Sequence, residues 1–357
     1  RQRPRDARRR AFRRGRGPGG RLLNTPPALF WAGSYTPTLE GSAQGIGALR
    51  ARADGSLEFL GLAAATSSPS FLATAAGGRV VYSVDEANSR VEAFARTDGF
   101  ELRPLGGQAT GGPLPCHISV TEDRLYVSNY GNGVIDVFPL AADGTIQAGA
   151  QSLDASGGGP RPEQAGPHAH STLVVGRRVL SADLGTDRVY VHELRDGLLT
   201  RVASVAVPPG TGPRDFVLSA DGAVVYLIGE LTASVFALSV AGDQVSIAAS
   251  GRVVADPVDG DHGAGLVISE DGRFLYSGLR GSNRIAVIRT DDLSPVIAIP
   301  CGGDWPRNLC LAGEMLYVAN QRSSTIASFR VDGVSGIPQL IGDPEPVPSP
   351  TFVLPAE

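Results

Sequence analysis

Several residues of this chain have the functional groups needed for proton transfer and for binding an anion. An imidazole at His170 and a carboxylate at Glu230 could exchange protons near neutral pH, as general acids and bases do. Guanidinium groups at Arg214, Arg280 and Arg307 could hold an anionic substrate through paired hydrogen bonds. Each residue taken singly also has a structural interpretation, because a lone His is often a hydrogen-bonded core residue and a lone Arg or Glu is often solvated. The chemistry therefore requires a fold that brings them together.

A repeated unit runs through the chain and predicts the elements that position these residues. In five copies a proline stands 11 to 13 residues before a β-prone pair that ends in Tyr or a substitute, as from Pro69 to Tyr82, and the copy at Gly263 keeps the spacing without the proline. A short strand of alternating apolar residues and a turn such as Asp143-Gly144 follow. A partial copy opens with Gly33-Ser34-Tyr35-Thr36. Six further copies begin at Pro69, Pro115, Pro167, Pro213, Gly263 and Pro306.

The period of this unit predicts the architecture. The Tyr-type positions recur every 41 to 54 residues, and seven equal parts of residues 28 to 357 are about 47 residues long. Such a period, with about four short strands per unit, is typical of propeller blades. We predict one all-β domain over residues 28 to 357, a seven-bladed β-propeller with four antiparallel strands per blade. Two β-sandwich domains are the alternative, but they would need no sevenfold period.

A closed propeller must also join its two ends in one blade. The apolar segments at residues 28 to 31 and 351 to 354 are the natural candidates. Their pairing would remove the exposed sheet edges that favour aggregation.

Equivalent positions of the blades should surround one channel, so two columns of the repeat predict a site. The column after the proline contains Ser70, Cys116, His168, Arg214, Ala264 and Arg307. The column four residues after the Tyr contains Glu86, Tyr130, Leu184, Glu230, Arg280 and Gln321. His170 is placed separately, in a column that is otherwise apolar: Leu72, Ile118, Phe216, Leu266 and Leu309. We expect the ionisable members to converge near the propeller axis.

Charge and hydropathy restrict the partners. Residues 1 to 21 contain ten arginines and one acid, so the rest of the chain carries a net charge of about −13. We predict that residues 1 to 27 are a disordered arginine-rich extension and that the acidic body binds no nucleic acid. No run approaches the roughly 18 to 20 apolar residues that cross a bilayer, which predicts no membrane span. We expect a cytoplasmic protein that is a monomer or a weak homodimer.

Motifs for other chemistries are missing. The sequence has no G-x-S-x-G, P-loop, Rossmann or H-E-x-x-H motif, and we expect no cofactor. Three cysteines without C-x-x-C spacing predict neither a disulfide framework nor a zinc site. His168 and His170 lack a third ligand at diagnostic spacing, so we predict no metal, although His117 and His262 remain open as ligands.

Several segments resemble the bacterial seven-bladed propeller lactonases, which include 6-phosphogluconolactonase and are similar to the fungal enzyme that cyclises 3-carboxy-cis,cis-muconate. The run from Pro167 to Val189 is the most specific. The resemblance extends from about residue 32 to the C-terminus. The other segments are Gly33-Ser34-Tyr35-Thr36, Asn129-Tyr130-Gly131-Asn132-Gly133, Gly212-Pro213-Arg214, Gly229-Glu230-Leu231, Leu279-Arg280-Gly281 and Trp305-Pro306-Arg307-Asn308.

The resemblance implies a metal-independent site in which His170, Arg214, Glu230 and Arg280 are catalytic. We assign His168, Arg307, Glu86 and Asp215 to substrate binding. The chain departs from the family at Asp215, where His is usual, and at Gly229 and Leu279, where Asn is usual. Asp215 places an anion beside Arg214, so this departure bears on the capture of a phosphorylated substrate.

The leading hypothesis is hydrolysis of a sugar lactone, with 6-phosphogluconolactone as the candidate substrate. Glu230 or His170 would take a proton from water, while Arg214 or Arg280 would stabilise the oxyanion. A cycloisomerase acting on a muconate could use the same groups. A non-catalytic propeller that binds a ligand or partner is the third hypothesis, because propellers host many unrelated functions.

Overall fold

The protein is a ring of small antiparallel sheets. A computed structural model describes residues 28–75, 77–241 and 244–356. Within these residues there are 29 β-strands in seven separate sheets, and the helices are two short 3₁₀ turns, Pro37–Leu39 and Pro162–Gln164. The predicted seven-bladed, all-β propeller is confirmed. The arginine-rich extension predicted at residues 1 to 27 lies outside the described residues. No helix in the described part of the chain is long and apolar enough to cross a bilayer.

The first three blades, each given from the channel outward, have four strands. Blade 1 contains β29 (Pro350–Pro355), β1 (Leu29–Ser34), β2 (Gly45–Ala51) and β3 (Leu57–Ala65). Blade 2 contains β4 (Leu72–Thr74), β5 (Val80–Asp85), β6 (Arg90–Arg96) and β7 (Leu102–Ala109). Blade 3 contains β8 (Pro115–Val120), β9 (Arg124–Asn129), β10 (Ile135–Pro139) and β11 (Gln151–Leu153).

The remaining blades follow in chain order. Blade 4 contains β12 (Ala169–Val175), β13 (Arg178–Asp183), β14 (Arg188–Arg195) and β15 (Leu198–Ala206). Blade 5 contains β16 (Pro213–Leu218), β17 (Val224–Gly229), β18 (Ser234–Ala241) and β19 (Gln244–Arg252). Blade 6 contains β20 (His262–Ile268), β21 (Phe274–Arg280), β22 (Arg284–Arg289) and β23 (Pro295–Pro300). Blade 7 contains β24 (Pro306–Ala312), β25 (Met315–Asn320), β26 (Thr325–Val331), β27 (Pro338–Leu340) and the short β28 (Glu345–Pro346), which also pairs with β26.

Blade 1 closes the ring by joining the two ends of the described chain. Strand β29 pairs antiparallel with β1, and Trp31 lies opposite Leu354. The predicted pairing of residues 28 to 31 with residues 351 to 354 is confirmed. The inner strand β29 also contacts the inner strands of blades 7 and 2, so every blade has two neighbours. Because the ring is closed, no blade has a free face exposed to solvent.

In three blades the repeated Tyr links the blade to the next one. Tyr82, Tyr276 and Tyr317 are fully buried in the apolar layers between blades. Their hydroxyls donate to backbone carbonyls in the outer turn of the following blade, at Gly144 (2.8 Å), Gly336 (3.0 Å) and Gly55 (3.0 Å) respectively. A buried phenol needs such a partner, since an unpaired buried hydroxyl is costly. The Tyr and the turn therefore recur together along the sequence.

Two of these turns require glycine. Gly336 has φ of +72°, and a Cβ there would lie 2.5 Å from the ring of Phe274. Gly55 has φ of +91°, and a Cβ would lie 2.8 Å from Sδ of Met315. Only glycine adopts this backbone without strain and leaves room for the neighbouring blade.

Candidate active site

A β-bulge near the start of the inner strand aims one residue toward the channel in six of the seven blades. In β16, for example, Pro213 and Asp215 pair with consecutive residues of β17, so that Arg214 is left outside the ladder. A bulge residue is unpaired and its side chain is re-aimed relative to the strand. The ladder is interrupted in the same way at Thr351, Cys116, His170, Ala264 and Arg307 in blades 1, 3, 4, 6 and 7. In blade 2 the pairing begins only at Leu72, and Ser70 occupies the equivalent position. All except Ala264 line one central cavity.

The structure corrects the predicted positions of two histidines. In β12 the ladder pairs Ala169 and Ser171 with consecutive residues of β13, so the bulge falls on His170. His170, and not His168, therefore belongs to the column after the proline. The position predicted to place His170 among apolar residues is occupied by Thr172. Both assignments were wrong by two residues. The hairpin between β12 and β13 is two residues shorter than the corresponding hairpin between β16 and β17.

A second ring of side chains follows the second strand of each blade. Their backbone N–H groups donate hydrogen bonds to the carbonyl of the residue that precedes the inner strand. In blade 5, for example, the N–H of Glu230 donates to the carbonyl of Gly212 at 2.7 Å. In blades 1 to 7 the ring consists of Tyr35, Glu86, Tyr130, Leu184, Glu230, Arg280 and Gln321. Six members were predicted from the repeat, and Tyr35 was missed. The signal for Tyr35 was its place four residues after Trp31, in the partial copy that opens the chain.

Glu230 lies between two arginines. Nε of Arg214 is 2.8 Å from Oε2 of Glu230, and Nη2 of Arg280 is 2.8 Å from Oε1. Arg214 and Arg280 are only 5% and 7% exposed. Burial opposes ionisation of Glu230, but Arg280 and Arg214 hold its pKa well below the ordinary value. The carboxylate is therefore charged and both of its oxygens are engaged.

His170 lies beside this cluster as a neutral imidazole. Burial and the charge of Arg214 hold its pKa well below the ordinary value, against the opposing influence of Glu230. The ring contacts Tyr130 edge-on, with ring centroids 5.9 Å apart. Because the imidazole is unprotonated at neutral pH and reaches the cavity, it can accept a proton from a molecule bound there.

A second polar cluster spans blades 7, 1 and 2. Nη2 of Arg307 donates to the hydroxyl of Tyr35 at 2.5 Å, and this hydroxyl is 3.1 Å from both carboxylate oxygens of Glu86. Ser70 also donates to Glu86 through its hydroxyl. Burial raises the pKa of Tyr35, although Arg307 opposes this. The phenol therefore stays protonated and donates a hydrogen bond to Glu86. The structure thus brings together the predicted residues Arg307 and Glu86.

His168 lies at the rim of the channel. Its imidazole stacks on the ring of Tyr130, with centroids 4.5 Å apart, and Nδ1 lies 2.6 Å from the Tyr130 carbonyl. The carbonyl can only accept, so Nδ1 carries the proton. His168 therefore supports Tyr130, which in turn contacts His170, and a direct role of His168 in substrate binding stays a prediction.

Asp215 joins two blades through its carboxylate. Oδ2 accepts from the backbone N–H of Leu266 in blade 6 at 3.1 Å, and Oδ1 accepts from the N–H of Phe216 at 2.9 Å. His117 and Asn308 occupy the same position in other blades, and their side chains likewise accept from the next inner strand, at 3.3 and 3.2 Å. An imidazole can serve here as well as a carboxylate. The departure from the family at this position therefore preserves a structural contact, and the predicted role of Asp215 in substrate binding stays a prediction.

We expect Asp215→Ala to lower the free energy of unfolding by about 1 to 3 kcal/mol, because two buried N–H groups lose their acceptor. Asp215→Asn keeps one carbonyl oxygen and should lose less. Urea titration followed by circular dichroism measures both variants. Equal stability of Asp215→Ala and the parent protein would contradict the assignment.

The described residues hold no group of three or more His, Cys, Asp and Glu side chains arranged to bind a metal ion. Of the histidines left open as ligands, His117 accepts a backbone hydrogen bond from Thr172. Leu279, the departure beside Arg280, is fully buried in the apolar layer between blades 5 and 6. It does not change the polar surface of the channel.

Comparisons with known proteins agree with this architecture. The family described as "Lactonase, 7-bladed beta-propeller" matches residues 29–355. A 6-phosphogluconolactonase of Bacillus subtilis is 31% identical over 309 residues, which cover 82% of this chain and 88% of that protein. The crystal structure of a protein from Lactobacillus plantarum has a TM-score of 0.85 at 30% identity and covers 92% of this chain and 99% of its own. A periplasmic gluconolactonase of Pseudomonas aeruginosa has a TM-score of 0.83 at 27% identity, with coverages of 91% and 98%. The chain belongs to the seven-bladed β-propeller lactonase family.

Proposed function

We propose that this protein hydrolyses a sugar lactone to the open hydroxy acid, and that 6-phosphogluconolactone is its substrate. The observation that carries the proposal is that His170 and Arg214 line one central cavity of a lactonase-family propeller. The substrate is suggested by relatives named 6-phosphogluconolactonase, in Bacillus subtilis and in Formosa agariphila, at 31% and 29% identity.

In the first step His170 acts as the general base. It takes a proton from a water molecule while the water oxygen attacks the carbonyl carbon of the lactone. The carbonyl oxygen becomes an oxyanion, which the free N–H groups of Arg214 stabilise. Donors that are already in place where charge develops give some of the largest contributions to catalysis.

In the second step the tetrahedral intermediate collapses. The bond between the carbonyl carbon and the ring oxygen breaks, and the protonated His170 returns its proton to that oxygen. The products are a carboxylic acid and a hydroxyl on one open chain, so one water molecule is consumed per lactone. The carboxylic acid then releases its proton to solvent and becomes a carboxylate. Glu230 stabilises the transient imidazolium by its charge.

Glu230 is a poor alternative as the base. Both of its oxygens are 2.8 Å from a guanidinium nitrogen. Protonation of Glu230 would break these two ion pairs, whereas protonation of His170 gains an attraction to the Glu230 carboxylate. We therefore assign the base to His170 and an electrostatic role to Glu230.

An assay with three substrates tests the proposal. The purified chain should hydrolyse 6-phosphogluconolactone, and activity on gluconolactone would support lactone hydrolysis more generally. Spontaneous hydrolysis must be subtracted, because lactones open without an enzyme. Turnover of 3-carboxy-cis,cis-muconate but of neither lactone would instead favour a cycloisomerase. Failure to turn over any of them would favour the propeller that only binds.

The pH dependence gives a separate prediction. Only the unprotonated form of His170 can accept the proton, and this form is lost as the pH falls through a pKa that lies below the ordinary value. We expect kcat/KM to stay level down through pH 6.5, about the pKa of an unperturbed imidazole, and to fall only in more acidic solution. Initial rates between pH 5 and 8, roughly 1.5 units on either side of that value, measure this. A fall centred at or above pH 6.5 would contradict the assignment.

A further inference from the structure

The channel carries two polar clusters on opposite walls. Glu230, His170, Arg214 and Arg280 belong to blades 4, 5 and 6. Arg307, with Tyr35, Glu86 and Ser70, belongs to blades 7, 1 and 2. In a closed ring of seven blades, blade 7 lies three places from blade 4 in one direction and four in the other. His170 and Arg307 line the same central cavity, so a ligand that reacts at His170 can also reach Arg307.

Among the described residues of this channel, the carboxylate acceptors are occupied by hydrogen bonds within the protein, whereas the arginines have N–H donors that are not. The oxygens of Glu230 are paired with two arginines, Glu86 accepts from Tyr35 and Ser70, and Asp215 accepts from two backbone N–H groups. The carboxylates are thus satisfied by the protein itself. A ligand meets satisfied acceptors but finds donors with capacity to spare.

Arg307 has most of that spare capacity on its wall. A guanidinium has five N–H donors. Within the described residues, the hydrogen bonds of the Arg307 side chain are confined to Nη2, which donates to Tyr35. The guanidinium also lies over the Tyr35 ring, with 4.8 Å from Cζ to the centroid. Tyr35 therefore fixes the position of the group, and Arg307 lines the central cavity.

We infer that Arg307, positioned by Tyr35 and Glu86, is a second anion subsite that binds an oxyanion at the end of the substrate remote from the lactone carbonyl. This inference rests on the proposed function. A planar guanidinium with two free N–H groups on one edge matches two oxygens of a phosphate or a carboxylate. The substrate class is then a lactone that carries a separate anionic group across the width of the channel.

The subsite is tested by comparing KM for the two lactones in the parent protein and in Arg307→Gln. We expect KM for 6-phosphogluconolactone to rise about 10- to 100-fold, the usual worth of a charge-assisted pair, with kcat changed by less than about twofold. KM for gluconolactone, which lacks the phosphate, should change little. Arg322→Gln is the matched control, because Arg322 is an exposed arginine of the same blade that stacks on Trp305 at 3.4 Å. It removes the same charge outside the cavity and should alter neither KM.

A binding measurement makes the test independent of turnover. Isothermal titration should show that the parent protein binds 6-phosphogluconate more tightly than gluconate, and that Arg307→Gln loses this preference. Equal loss for both ligands, or no loss, would overturn the subsite. If neither lactone is hydrolysed but the preference is present and depends on Arg307, the proposed function fails and the subsite stands.

Tyr35→Phe separates positioning from charge. The variant keeps the ring under the guanidinium but removes the oxygen that accepts from Arg307. We expect a smaller rise in KM for the phosphorylated lactone than in Arg307→Gln, again with little change for gluconolactone. An effect on kcat for both lactones would instead place Tyr35 in the reaction itself.

Discussion

His170→Gln should lower kcat/KM for the lactone by about 100- to 10,000-fold, the usual contribution of a general base. The amide of Gln can accept a hydrogen bond from water but cannot take its proton at neutral pH. His170 is the group suited to this step, because burial and Arg214 keep its imidazole unprotonated. Initial rates with the subtracted spontaneous reaction measure the loss.

His262→Gln is the control for this variant. It also removes an imidazole from the start of an inner strand, but His262 is not among the residues that line the central cavity. Its rate should match that of the parent protein. Circular dichroism and thermal melting must show that His170→Gln is folded. A folded His170→Gln variant with undiminished kcat/KM would refute the assignment of the base and return that role to Glu230.

Glu230→Ala should be the most damaging single change to stability in the channel, with a loss of about 3 to 5 kcal/mol of unfolding free energy. The substitution leaves the guanidiniums of Arg214 and Arg280 without their counter-charge, and the two side chains are only 7% and 8% exposed. Removing one partner of a buried ion pair costs more than the pair contributes, because the remaining charge stays desolvated. Chemical denaturation of the parent and the variant measures the difference.

The same variant should also lose at least tenfold in lactonase activity, since Arg214 would no longer be held in place. Glu230→Gln separates the two contributions of the carboxylate. Its amide oxygen can still accept from one arginine and fills nearly the same volume, so it should be more stable than Glu230→Ala while losing comparable activity. Stability of Glu230→Ala equal to that of the parent would show that the arginines are solvated rather than held by Glu230.

The fold follows from the sequence because a propeller repeats its local physics in every blade. The buried Tyr and the Gly of the outer turn are one hydrogen-bonded unit, as Tyr317 and Gly55 show at 3.0 Å. Blades that use this contact must therefore carry both residues, at nearly constant spacing. The sevenfold count and the closure of the ring could be predicted for the same reason.

Register within a blade could not be predicted in the same way. The distance from the first inner-strand residue to the Tyr-type position is 11 residues in some blades and 13 in others, as for Pro115 to Tyr126 and Pro213 to Tyr226. The spacing therefore permits two alignments of this segment with the other blades, one that places His168 and one that places His170 in the channel column. Only the β-bulge, which depends on the pairing of β12 with β13, places His170 in the channel.

The sequence by itself determined the all-β propeller and the set of blades from which Arg214, Glu230, Arg280 and Arg307 project. Repeat positions carry this information because equivalent residues of every blade meet the same local environment. The tertiary structure alone decided that His170 is neutral, that Glu230 is occupied by two arginines, and that Arg307 donates to Tyr35 of the next blade and lines the same cavity. These properties depend on burial and on charges that come from other blades, at distances that no spacing along one chain can specify.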